Sequence, residues 1–344
     1  MAERKDGADT PPHPRERHEL VGHRRAELAV LEALRSRRLA HAWLIAGPEG
    51  IGKATFAYRV ARFVLADRDP LARATHAQSL DVAPEDKAAR QVSAGSHPDL
   101  FVLERTLGTS GKLRTEITVE DARRATSFLQ TTSAQGGWKV LIVDVADELN
   151  RNAANALLKI IEEPPGRSLV LNVAHAPMRL VATIRSRCRR LRLDPLTSAE
   201  IVEIISGLPN IDAPREAIAE AAALAEGSVK RALLLMEEQA IEFVRLVRDA
   251  LEAPQAAWRT PSLKLAGKLG ARAGEGAYDI VFDAIFDWLR ERAGHLAAAH
   301  DERAEAAARL WGEMEVRKSE ADAYNLDKRA LVLTSLREVA ELAL

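Results

Sequence analysis

A glycine-rich turn, Gly47-Pro-Glu-Gly-Ile-Gly-Lys53, set between a short apolar run and a stretch of helical periodicity, restricts this chain more than any other feature of it. Ala42 to Ala46 is compact and apolar and predicts a buried strand. Behind the turn, ATFAYRVARFVLA places Phe56, Val60, Phe63 and Val64 on one side of a predicted helix. Strand, glycine loop and helix in that order are the context of a phosphate loop, with Gly47, Gly50, Gly52 and Lys53 in G-x-x-x-x-G-K register. Backbone amides and the helix N-terminus cradle phosphates in such a loop, and the lysine reaches the terminal ones. The next position ordinarily carries a hydroxyl for Mg²⁺, and here it is Ala54. Thr55 follows one residue late, about 100° further round the helix, and is a poor substitute. On these residues alone, a glycine-rich turn that binds nothing stands as the alternative.

Hydrolysis at a phosphate loop also needs an acid at the end of a neighbouring strand and a group that aligns water. Lys139 to Asp144 predicts a second buried strand with Asp144 at its carboxyl end, suited to the first role. The position directly after it, where a glutamate would polarise water, is Val145. Asp147 and Glu148 come two and three residues late and are expected as acids at a helix N-terminus, where the helix dipole favours them. Ala54 and Val145 together argue against intrinsic hydrolysis.

The rest of the first half alternates in the same way. Leu28, Leu31 and Leu34 mark a helix over 24–37; Leu100 to Leu103 reads as a strand and Ile117 to Gln130 as the start and run of a helix. NRNAANALLKIIEE is a helix stopped by Pro164-Pro165, followed by strands at Ser168–Val173 and Arg190–Leu193. Strands apolar on both faces, alternating with helices, predict a parallel α/β sheet. Residues 67–95 are polar and Ala-rich with no strand period, and are either helical or a partly ordered insertion. After Pro195 the pattern becomes all-helical, as in Ile241, Val244, Val247 and Leu251. The expected divisions are a mobile tail at 1–17, an α/β domain at 18–195, a small helical domain at 196–253 and a terminal helical domain at 254–344.

With 49 basic and 50 acidic side chains the net charge is −1, so no global field draws the chain to nucleic acid or an anionic membrane. Cys188 is the sole cysteine, which excludes an internal disulfide and every Cys₄ or Cys₂His₂ zinc module. Among the closest histidine pairs, His18/His23 and His295/His300 sit five apart rather than four, and no metal site is read from them. No apolar run is long enough to span a bilayer and the first residues lack an apolar signal core, so a cytoplasmic location is expected. Arg179, Arg185, Arg187, Arg189, Arg190 and Arg192 crowd one short stretch without an acid, as a solvated strand face or a phosphate-binding patch would.

Leu20-Val21-Gly22, HAWLIAGPEGIGK, NAANALLKIIEEPP and IRSRCRRLRL, in that order, resemble the clamp-loader branch of the AAA+ ATPases over about residues 18–235. The resemblance implies an AAA+ phosphate-loop domain, a helical lid and a C-terminal helical collar. It implies further that Arg187, flanked by Ser186 and Cys188, is an arginine finger acting in trans on a neighbour's nucleotide. The sensor-one position falls at Ala174-His175, lacking the usual Thr or Asn, and the sensor-two arginine at Arg231 in Gly227-Ser-Val-Lys-Arg231. Gly47, Gly50, Gly52, Lys53, Ala54, Thr55, Asp144 and Arg231 would then form a vestigial nucleotide site, with ATP and Mg²⁺ held by neighbouring subunits. The four-cysteine zinc module of many similar proteins is missing. The implied role is a non-hydrolysing structural subunit in a five-membered ring of a replicative polymerase holoenzyme. Its implied partners are ATPase subunits, a clamp-opening subunit, the sliding clamp and primed DNA. Two other readings stay open: an active ATPase in which Thr55 and Glu148 stand in for the missing groups, and a direct DNA-binding module built on Arg179 to Arg192.

Overall fold

The apolar runs of the first half lie side by side in one parallel sheet. A computed structural model describes residues 11–108, 113–209, 211–237, 240–253, 257–272, 275–324 and 326–342. Its strands are β1 (Ala42–Ala46), β2 (Leu100–Leu103), β3 (Lys139–Asp144), β4 (Ser168–Ala174) and β5 (Arg189–Arg192). They run in the order β2-β3-β4-β1-β5, and each neighbouring pair is parallel. Between and around them come α1 (Arg24–Arg35), α2 (Lys53–Leu65), α3 (Pro70–His76), α4 (Lys87–Ser93), α5 (Val119–Gln130), α6 (Arg151–Glu162) and α7 (Ala182–Arg187).

Alternation along the strands makes two apolar layers. Trp43, Ile45, Val140, Ile142, Leu169 and Leu171 face α1 and α2, whereas Ala42, Leu44, Leu141, Val143 and Val170 face α5, α6 and α7. Phe56 and Phe63 of α2 are wholly buried, each worth about 1.5–3 kcal/mol relative to exposure. β1 lies between β4 and β5, so the glycine loop leaves the sheet at the carboxyl ends of parallel strands, the usual place for a ligand in such folds.

Residues 67–95 are helical in part: α3 and α4 begin where Asp69 and Asp86 accept hydrogen bonds from the amides of Leu71 and Ala72, and of Ala88 and Ala89. The stretch between them is pinned from α1, where buried Glu27 accepts from the Leu80 amide at 2.9 Å and from Arg59 Nε at 2.8 Å.

The expected mobile tail needs correction. Pro14–Glu16 forms a 3₁₀ turn capped by His13, and Arg62 of α2 donates from Nη2 to the carbonyls of Arg15 at 3.0 Å and Arg17 at 2.5 Å. Arg59 Nη1 donates to the His18 carbonyl at 2.9 Å, and His13 meets the Tyr58 ring edge-on. The segment has little to bury, but its backbone carbonyls, with that of His18, accept from two buried guanidiniums. Residues 1–10 lie outside the described residues.

Beyond β5 the described residues are helical: α8 (Ser198–Ser206), α9 (Arg215–Leu224), α10 (Val229–Leu235), α11 (Ala240–Glu252), α12 (Arg259–Arg272), α13 (Glu275–Ala298), α14 (Arg303–Tyr324) and α15 (Lys328–Glu341). The chain divides into compact units at residues 1–231 and 232–344. That division differs from the boundary expected near residue 254, because the buried face of α11, with Phe243 and Val247, packs on α12, α13 and α15. No helix among the described residues is long and apolar enough to cross a membrane.

Candidate functional site

Gly50 and Gly52, at φ +76° and +94°, let the loop after β1 fold back and open α2. Lys53, the first residue of α2, is only 3% exposed, and its Nζ donates to the Gly47 carbonyl at 2.7 Å and also to that of Pro48. Burial lowers its pKa to about 8, against the opposing pull of Glu49, Asp147 and Asp144. The amine is thus committed to its own loop. His23 Nε2 donates to the Ile51 carbonyl at 2.7 Å and steadies the loop from the start of α1.

A second segment closes over the same loop. The Val229 amide donates to the Gly50 carbonyl at 2.9 Å, and Lys230 Nζ pairs with Glu49 at 2.6 Å. A Cβ on Gly50 would lie 2.2 Å from Ser228 Oγ and 2.6 Å from Lys230 Cβ, so only glycine fits there. Arg231, the sensor-two candidate, has Glu226 at 3.9 Å. Glu49 and Lys230 were not singled out from the sequence; they stand 181 residues apart, and no local pattern pairs them.

On the metal side, Asp144 ends β3 with its pKa raised to about 6, by burial first and then by the nearby negative charge of Glu104, while Lys53 opposes both. Asp147 and Glu148 lie in the first turn of a helix, though one of three residues only. They form a 3₁₀ turn, Ala146–Glu148, because Asn150 takes the N-cap of α6 by accepting from the Ala153 amide. Asp147 instead accepts from the amides of His175 at 3.0 Å and Ala176 at 2.9 Å, which ties the end of β4 to the end of β3. Glu148 pairs with Arg105 at 2.8 Å. With alanine at 54 and valine at 145, these residues do not fit a magnesium ion and an activated water.

Arg187 stands at the last position of the six-residue α7, with its side chain 41% exposed. Its Nε pairs with Glu162 Oε1 at 2.8 Å and its Nη1 donates to the Thr183 carbonyl at 3.1 Å. Ser186 is exposed and donates to the same carbonyl. Cys188 is buried, its thiol pushed up to about 11 by burial, with Asn172 Nδ2 donating to Sγ at 3.6 Å. The other arginines of the cluster do not form one patch. Arg189 lies over the Trp43 ring at 4.7 Å, Arg192 has Asp194 at 3.6 Å, and Arg185 reaches Met178 Sδ. Alternation along β5 sets Arg189 on one face of the edge strand and Arg190 and Arg192 on the other.

Comparison with known proteins agrees with these motifs. The family model described as DNA polymerase III, delta subunit, matches residues 23–197. DNA polymerase III subunit delta' of Pseudomonas aeruginosa is 37% identical over 223 residues, 63% of either chain. Its counterpart in Escherichia coli K12 is 31% identical over 197 residues, 57% of this chain and 54% of that one. DNA polymerase III subunit tau/gamma of Haemophilus influenzae is 27% identical over 223 residues, 64% of this chain and 30% of the other. The chain thus spans less than two thirds of the length of these relatives.

Proposed function

The chain belongs to the DNA polymerase III delta-subunit family, and on that premise we propose that it is a non-hydrolysing subunit of a clamp loader, of the delta-prime kind. In this reading it sits in a ring of five with tau/gamma-type ATPase subunits and the clamp-opening delta subunit. ATP bound by the neighbours opens the sliding clamp, and hydrolysis closes it on primed DNA. This chain holds geometry and extends Arg187 toward a neighbour's nucleotide, where a fixed fork of donors meets the charge that develops on the γ-phosphate. Its division of labour makes the chain's own hydrolytic machinery dispensable.

The observation that carries the reading is the state of the phosphate loop. Lys53 is buried on the carbonyls of its own loop, Lys230 and Val229 cover that loop, and Ala54 and Val145 replace the groups that metal and water need. Glu148, the stand-in required by an active ATPase, is occupied by Arg105. Arg189 lies on the opposite face of β5 from Arg190 and Arg192, and Arg187, Arg189 and Arg192 each meet a different partner, which weighs against a single DNA-binding patch.

Steady-state ATPase of the chain alone, and of an assembly reconstituted with cognate tau/gamma and delta subunits, clamp and primed DNA, tests the proposal. The isolated chain should be inactive, and Arg187→Ala should slow the assembly by about 10³–10⁵, the usual worth of an arginine finger. Hydrolysis by the isolated chain that is lost on Lys53→Ala, or an assembly indifferent to Arg187→Ala, would refute it.

A further inference from the structure

We propose that Glu162 is a positioning residue for Arg187, aiming its guanidinium before a neighbouring nucleotide arrives; the inference rests on the reading of Arg187 as a finger in trans.

The carboxylate sits on a fixed platform. Glu162 closes α6, and Pro164-Pro165 follow after the single residue Glu163, so the helix cannot run on. His41 Nε2 donates to the Ile161 carbonyl at 2.6 Å, and the His41 carbonyl accepts from the Val170 amide at 2.7 Å. The last turn of α6 is thereby tied to the β1 and β4 side of the sheet. α7, which bears Arg187, has only six residues and little intrinsic rigidity of its own.

An acid in the last turn of a helix faces the negative end of the helix dipole, so Glu162 is not placed there for the benefit of α6. Nor is it a strong contributor to folding, because both side chains of the pair are more than 40% exposed, where ion pairs stabilise little. Its geometric effect is specific. Glu162 forms an ion pair at Nε and the Thr183 carbonyl accepts from Nη1, with Ser186 Oγ 3.4 Å from the same nitrogen. Nη2 is the nitrogen left without a protein partner among the described residues. A long, rotamer-rich side chain is held at Nε and Nη1 while Nη2 stays open to an incoming anion. Reducing that freedom beforehand is how a positioned group contributes to a rate, and a misplacement of about 1 Å can cost about 10²-fold.

The test is ATP turnover by the reconstituted assembly carrying Glu162→Ala or Glu162→Gln, each with and without Arg187→Ala. Glu162→Ala should lower kcat about 10- to 100-fold with KM within about twofold, since the finger is present but unaimed. Glu162→Gln keeps the size of the side chain but removes the charge that pairs with Nε, and should fall with Glu162→Ala. In the Arg187→Ala background, Glu162→Ala should have no further effect, a result that a merely structural role would not give. Unchanged or raised turnover with Glu162→Ala, or an equal loss in both backgrounds, overturns the proposal. An Arg187→Ala assembly as active as wild type overturns the finger reading itself and this proposal with it, and is told apart by that variant alone.

Discussion

Removing residues 1–17 should destabilise the first unit by about 2–4 kcal/mol. Arg62 is 2% exposed, and Nη2 donates to two carbonyls, those of Arg15 and Arg17, both lost with the segment. Burial first, and then the charge of Arg59, lowers the pKa of Arg62 to about 10, a sign of how little water reaches it. A hydrogen bond from a charged donor is worth about 1.5–3 kcal/mol net. Two of them would give roughly twice that, and water entering the opened surface recovers part. In a unit of this size 1 kcal/mol shifts Tm by about 2–4 °C, so the expected loss is about 4–16 °C. The decisive assay is a cycle of urea unfolding on the full chain, the chain beginning at His18, Arg62→Met, and both changes together, with hydrogen exchange of α2 assigning the transition to the first unit. Arg62→Met removes the same bonds, so the two changes should couple by about 1.5–3 kcal/mol rather than add. Additive effects, or a shortened chain within about 0.5 kcal/mol of the full one, would refute the reasoning.

Two further outcomes are expected. Burial pushes the Glu27 carboxyl up, but hydrogen bonds from Arg59, the Leu80 amide and Arg24 together outweigh it, and its pKa falls below the usual 4.5. Its stabilising share is therefore present above the unfolded pKa and lost as pH falls through the lower folded value; the stability gap between wild type and Glu27→Gln should be level at neutral pH and shrink below about pH 4.5 in denaturant titrations. Lys230→Ala removes an ion pair exposed at both ends, worth about 0.2–1 kcal/mol, so the isolated chain should bind a fluorescent ATP analogue no more than about fivefold more tightly by anisotropy. A loss of affinity would make Lys230 a ligand instead of a latch.

How much of this was legible in the sequence varies with the range of the interaction. β1, β3 and β4 could be read because each is a short apolar run bounded by glycine, proline or charge, and the loop motif follows β1 directly. α3 and α4 could not, because seven-residue helices hold too few turns for a periodic stripe; the capping aspartates Asp69 and Asp86 were the available signal. The docked N-terminal segment was hidden for another reason: its carbonyls are what Arg59 and Arg62 bind, and carbonyls are the same in every residue. In the candidate site, Lys53, Ala54, Asp144 and Val145 followed from motif spacing, and Arg187 from the family resemblance of Ser186-Arg187-Cys188. Glu49 with Lys230, and Arg187 with Glu162, are meetings that only the folded backbone arranges. α11 carried a clear helical stripe, but a stripe does not name its partner, and it packed with the terminal helices.

Between α2 and β2 several of the polar ties are carboxylates: Asp69 and Asp86 at the starts of α3 and α4, Glu27 on the Leu80 amide, and Asp81 on Arg59 at 3.1 Å. The stretch contains no cysteine. These carboxylate ties, unlike the apolar contacts of Leu80 and Val92 beside them, respond to proton and salt concentration, and a change in redox state has no handle on them.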